Sequence, residues 1–205
     1  SVKNNHFDGT SIYAYHDAHF SGNKMNDSFT FFEGPNVTID GMTFTDSNFS
    51  MTPKSPFGVE VKNVVMYNNK PNTSGLGIWK NPVKISNLTM NGTASKVSST
   101  AEGNIYEGLK IYGYSLGGMS LPSGTYNGCV MESAAGTIPA AASGIGLSGS
   151  KYVFNNCSFK TNGIGMQVTN PETDIAVTGS TFNVTSKMYA LKATKAKKVR
   201  FENNK

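Results

Sequence analysis

An eight-residue pattern recurs along the 205-residue chain: apolar, any, apolar, any, Asn or Gly, any, any, large apolar. Clear copies are Val37, Ile39, Gly41, Phe44; Val59, Val61, Asn63, Met66; and Val83, Ile85, Asn87, Met90. Further copies are Leu109, Ile111, Gly113, Leu116; Tyr152, Phe154, Asn156, Phe159; and Ile175, Val177, Gly179, Phe182. With the weaker copies, the Asn/Gly position falls at 4, 22, 41, 63, 87, 113, 128, 156, 179 and 203. Two apolar residues at i and i+2 are a strand with one buried face. Asn and Gly then tolerate the left-handed backbone of a sharp bend. A period near 22 residues is too long for a hairpin and suits a solenoid, in which each coil is completed by its neighbours.

A second repeated strand lies upstream of each copy, at Ile12–Tyr15, Phe29–Phe32, Leu76–Trp79, Ile145–Leu147, Ile164–Val168 and Met188–Leu191. Each coil therefore reads strand, turn, strand, Asn/Gly bend, short strand, variable loop. The fold expected is all-β, a right-handed parallel β-helix of about ten coils with three short strands each, spanning residues 1–205 as one domain. Hydrophobic residues at 38% supply a core, and no run approaches the roughly 20 apolar residues of a membrane span. The net charge of +5 gathers near Lys192, Lys195, Lys197, Lys198 and Arg200 without interleaved aromatics, so neither nucleic acid nor membrane insertion is expected.

The segments Gly144-Ile-Gly-Leu147 and Gly163-Ile-Gly-Met166, each followed by the Asn/Gly pattern, resemble the pectate-lyase-like superfamily of right-handed β-helices. The resemblance covers essentially the whole chain and speaks for fold more than chemistry. It implies dealings with polysaccharide, since lyases, glycoside hydrolases, epimerases, phage tailspikes and adhesins share the coil. The Asn-Thr-Asp, Asp-Asp and Gly-His-Gly motifs of polygalacturonases are absent, as are Arg-containing lyase motifs, because Arg200 is the sole arginine. The chain starts and stops inside a coil without a cap helix, as a segment of a longer protein would, or one whose ends are covered by neighbouring domains or a homotrimer. That situation resembles a tailspike or tail-fibre β-helix, located outside the cell or on a virion tail. Alternatives are a secreted polysaccharide lyase or glycoside hydrolase, and a non-catalytic adhesin or structural solenoid.

Stacking lets the sequence name neighbours. Stacking the turn that follows Ile12–Tyr15 on the end of Phe29–Phe32 places Asp17 over Glu33 and His16 over Phe32. Two carboxylates one coil apart would stand about 5 Å apart, the spacing of a retaining glycosidase pair, which makes Asp17, Glu33 and His16 the catalytic candidates. The substrate-binding candidates are the aromatics Tyr13, Tyr15 and Trp79, on which sugar rings stack, with Lys84 and Lys110 in an outward column that also holds His19, Thr38 and Glu60. Asp27 and Asp46 share another phase, with Asp8 one residue off. Their oxygens suit Ca²⁺, yet nothing in the spacing calls for a metal. His6, His16 and His19 lack zinc-ligand spacing, and no cofactor is expected. Cys129 and Cys157 each follow a bend and should be neighbours, either bonded or as two free thiols.

Overall fold

The computed structural model describes residues 1–70, 75–115, 118–135, 143–161, 163–184 and 189–205. It is a parallel β-solenoid in which every strand pair is parallel and three faces wrap one interior. One face carries ten strands, from Val2–Lys3 to Lys198–Glu202, and the second carries nine, from His6–Asp8 to Thr181–Val184. The third is split into a five-stranded sheet and a four-stranded sheet, parted between Val97–Ser99 and Met119–Leu121. The strand count agrees with the roughly ten three-stranded coils expected. No helix of the described residues is long and apolar enough to cross a membrane.

Like residues stack because each residue sits one strand spacing, about 4.8 Å, above its counterpart. Ile39 pairs with Val61 and Val61 with Ile85, and the same inward column continues through Tyr106, Tyr126, Phe154 and Val177. Ring centroids of Tyr106 and Tyr126 lie 4.6 Å apart, and those of Tyr126 and Phe154 4.8 Å, nearly parallel in both pairs. Phe44 on the second face stacks on Phe49 of the third at 4.6 Å, closing the interior across the coil. Methionines fill much of the second face's inward column, Met25, Met66, Met90 and Met131 among them, all fully buried. Their unbranched side chains adapt to whatever ring or branched neighbour lies above.

The bend is left-handed in all ten coils: Asn4, Gly22, Gly41, Asn63, Asn87, Gly108, Gly128, Asn156, Gly179 and Asn203 have φ between 53° and 65°. Nine of these positions are as expected from the sequence. The exception is Gly108, which replaces Gly113. The steps on either side become 21 and 20 residues, and the short step of 15 residues disappears. The reason is a buried polar residue. The first inward position of that coil is Asn104, fully buried, whose side chain accepts from Val83 N at 3.2 Å and donates to Ser99 Oγ and Ala101 O. A pattern that requires an apolar residue there slips forward to Leu109 and Ile111. Gly113 instead sits in a bulge between Tyr112 and Tyr114, with φ 72°, and Leu116 lies outside the described residues.

Asn and Gly at the bend depend on each other. Asn63 Nδ2 donates to Asp40, and Asn87 Nδ2 donates to Asn63 Oδ1 at 3.2 Å, so the amides run along the stack. Where Gly follows Asn, the amide occupies the space a Cβ would need: a Cβ on Gly179 would overlap Asn156 Oδ1, whereas one on Gly128 would meet nothing within 4 Å. Both Gly→Ala changes carry the left-handed penalty of about 1–2 kcal/mol. Gly179→Ala additionally displaces the amide, and in urea denaturation it is expected to destabilise by about 1 kcal/mol more than Gly128→Ala. Equal losses would mean that the amide does not seat there.

Cys129 and Cys157 follow Gly128 and Asn156 in paired coils and are neighbours, as expected; both are buried and free. Their sulfurs donate to main-chain carbonyls, Cys129 to Tyr106 O at 3.7 Å and Cys157 to Tyr126 O at 3.3 Å. The hydrogen bond with Cys157, and then burial, push the Cys129 thiol upward, while the same contact lowers Cys157; both sulfurs are closed off from solvent. Ellman titration should therefore find neither thiol in the native protein and both in guanidinium; rapid native labelling would contradict this register.

Candidate functional site

The outward side of the third face begins as an aromatic shelf. In Ser11–Ala14 and Phe29–Phe32 alternate residues point out, and the register pairs Tyr13 with Phe31 and Ser11 with Phe29. Tyr13 is 53% exposed and Tyr15, just past the strand, 47%. The rings of Tyr13 and Tyr15 lie 6.2 Å apart with nearly parallel planes, and Phe29 and Phe31 are tilted against Tyr13 at 6.2 and 6.1 Å. Tyr13 and Tyr15 are exposed and Phe29 and Phe31 half-buried, although the interior is already filled by Phe20, Phe32 and Phe49.

Along the axis the shelf drops into a groove. The column through Tyr13 and Phe31 continues as Ser50, Gly77 and Ser98. The fall from ring to hydroxyl to hydrogen leaves a cavity of 530 Å³ lined by Asn48, Ser50, Trp79, Lys96, Ser98 and Ser120, among others. Trp79 is 36% exposed and folds back over its own strand. A Cβ on Gly77 would stand 3.0 Å from Trp79 Nε1 and 3.2 Å from Ser50 Oγ, so any side chain there would lift the indole. Ser50 Oγ donates to Asn48 Oδ1 at 2.9 Å. The far wall is the gap between the two parts of the third face, where Ser98 and Ser120 belong to edge strands. Lys96 is the charged residue of the lining, and no carboxylate is among the described residues that form it.

The structure gathers Tyr13, Tyr15 and Trp79 on this face but not the catalytic candidates into a pair. Phe32 pairs with Ala14 rather than His16. The small inward residue Ala14 fits beneath Phe32, a shift of two residues from the expected stack, and alternation from Ala14 leaves Tyr13 and Tyr15 outward. Glu33 is then level with Tyr15, and its carboxylate faces Lys80 Nζ at 3.7 Å. Asp17, preceding the Ala18–Val37 pair, is level with Asn36 and accepts from its amide at 3.2 Å. His16 lies over Gly34, not Phe32: a Cβ on Gly34 would come within 2.6 Å of the His16 backbone. The coil here is longer than the alignment of Ile12–Tyr15 with Phe29–Phe32 assumed, so the stacked carboxylates do not form.

The lysine column also divides. His19, Thr38, Glu60 and Lys84 do stack on the ten-stranded face, and Lys84 pairs with Glu107 at 3.1 Å. Lys110, however, belongs to the second face, between Thr89 and Val130, a direct result of the bend lying at Gly108. Asp27 and Asp46 share one level as expected, in left-handed turns with φ 44° and 46°. Lys70 reaches back across two coils to Asp27 at 2.5 and 2.7 Å, while the N–H groups of Asn69 and Lys70 donate to Asp46 Oδ1. The adjoining Asp27 raises the Lys70 ammonium above its usual range. A lysine thus sits where stacked oxygens would attract a cation, and among the described residues no group of three or more His, Cys, Asp or Glu is placed to hold a metal.

Phe29, Phe31, Ser50 and Lys96 escaped the sequence reading. The first two had a signal in Phe29-Thr-Phe-Phe32, because the buried Thr30, donating to Asn48 O, fixes which residues face out. The groove had none, since it depends on where a sheet is broken. No family model, curated protein or solved structure matches the chain.

Proposed function

We propose that this β-solenoid is a polysaccharide-binding module of the tailspike kind, holding a host-surface glycan along its third face. The observation that carries the reading is the run of solvent-facing aromatics, Tyr13, Tyr15, Phe29, Phe31 and Trp79, ending in a hydroxyl-lined groove. Pyranose rings offer one face of C–H bonds and a rim of hydroxyls. Flat aromatics meet the first, and Asn48, Ser50, Ser98 and Ser120 meet the second, with few precisely placed polar groups giving orientation. A shelf followed by a groove fits an extended chain better than a single small molecule. A module of this kind would work at a cell surface or on a virion tail, in contact with neighbouring subunits. Binding, rather than cleavage, is the core of the proposal, because Asp17 and Glu33 each have a partner of their own.

The test is retention on immobilised capsular, lipopolysaccharide and cell-wall glycans, by affinity electrophoresis and calorimetry. Tyr13→Ala and Trp79→Ala are each expected to weaken binding at least about tenfold, equivalent to about 1.4 kcal/mol. Tyr67→Ala removes an equally exposed ring from the second face, 45% accessible, and is expected to leave binding unchanged. Three variants indistinguishable from wild type would sink the proposed face.

A further inference from the structure

Phe57 holds a conformation that nothing in its packing repays. Its φ is 58°. Of the ten non-glycine residues with positive φ among those described, eight are Asn or Asp, whose short polar side chains tolerate that region; the others are Phe57 and Lys80. Both lie on one ridge, made by the turns of two successive coils. Phe57 N donates to Pro82 O at 2.7 Å, and Asn81 Nδ2 donates to Pro53 O at 2.9 Å, locking residues 52–58 against residues 79–82. A strained aromatic would ordinarily be offset by burial, yet Phe57 is 48% exposed. Strain that persists without packing gain is characteristic of ligand-contacting positions.

Beside the ring is a recess of 420 Å³ on the ten-stranded face, lined by Asn36, Thr38, Phe57, Glu60, Lys84 and Ile105, among others. The volume lies within the roughly 300–1,000 Å³ of small-ligand sites. Thr38, Glu60, Lys84 and Ile105 are consecutive members of one outward column, so a ring stacked on Phe57 would face a hydroxyl, a carboxylate and an ammonium in turn. Glu60 and Lys84 are already engaged by Lys62 at 2.9 Å and Glu107 at 3.1 Å, which fixes both heads while leaving them more than 40% accessible. One acceptor and one cation, without net charge, match the vicinal hydroxyls of a neutral sugar rather than an anionic one. Trp79 faces the other flank of the same ridge, where its groove opens on the third face.

We infer that Phe57, with Glu60 and Lys84, forms a second sugar subsite that takes a neutral pyranose of the glycan across the ridge from Trp79. The inference rests on the polysaccharide reading and extends it to a second face. The experiment compares Phe57→Gly, Phe57→Trp and Trp79→Ala on whichever glycan the wild type retains. Glycine relieves the left-handed strain while deleting the ring, so Phe57→Gly is expected to keep or raise the thermal midpoint and yet weaken binding at least fivefold. Phe57→Trp should bind at least as tightly as wild type. Wild-type affinity in Phe57→Gly, with Trp79→Ala impaired, would overturn the second subsite alone. Failure of the wild type to retain any glycan would overturn both readings. A lowered midpoint with unchanged affinity would make Phe57 a structural residue and also overturn the inference.

Discussion

The structure depends on one constraint, the fixed rise of about one strand spacing per coil. Every strand residue away from the ends has a counterpart directly above and below, so a side chain is selected for its fit to itself repeated. Rings accept this well, since nearly parallel stacking at 4.6–4.8 Å is also a favourable aromatic contact. Amides accept it too, as the Asn63–Asn87 contact illustrates. Charges of one sign do not, and the outward columns alternate accordingly, with Glu60 between Thr38 and Lys84. The stacking of Asp27 on Asp46 is the exception, and there a lysine from a third coil is drawn in to neutralise the pair.

Most of the coil was legible in the sequence because its demands are local. A left-handed residue between two short strands restricts the choice to Asn or Gly wherever it occurs, and nine of ten bends could be read from that alone. The tenth failed at Asn104, where a buried amide satisfied by Val83, Ser99 and Ala101 stands in for an apolar side chain. That compensation is tertiary and leaves no trace in a pattern of apolar positions. One mistaken bend then moved Lys110 to the wrong face, which shows how register errors propagate in a solenoid.

The candidate site was legible in part, for the same reason. Tyr13, Tyr15 and Trp79 could be named because large aromatics flank a strand, but their outward direction depended on which residue of Ser11–Ala14 faces in. The small Ala14 does, and a coil two to three residues longer than the stacked turns assumed separated Asp17 from Glu33. Loop lengths between strands vary, so turn residues inherit the accumulated uncertainty of register, whereas strand residues do not.

The break in the third face has a mechanical meaning apart from the groove it opens. A tube whose three walls are continuous ladders of hydrogen bonds resists bending equally in every direction. Between Val97–Ser99 and Met119–Leu121 one wall is interrupted while the other two run on. At that level the rod is stiffest against bending that loads the intact walls and most compliant toward the severed one. Bending of the rod would accordingly be felt first as a change in the width of the cleft between Ser98 and Ser120.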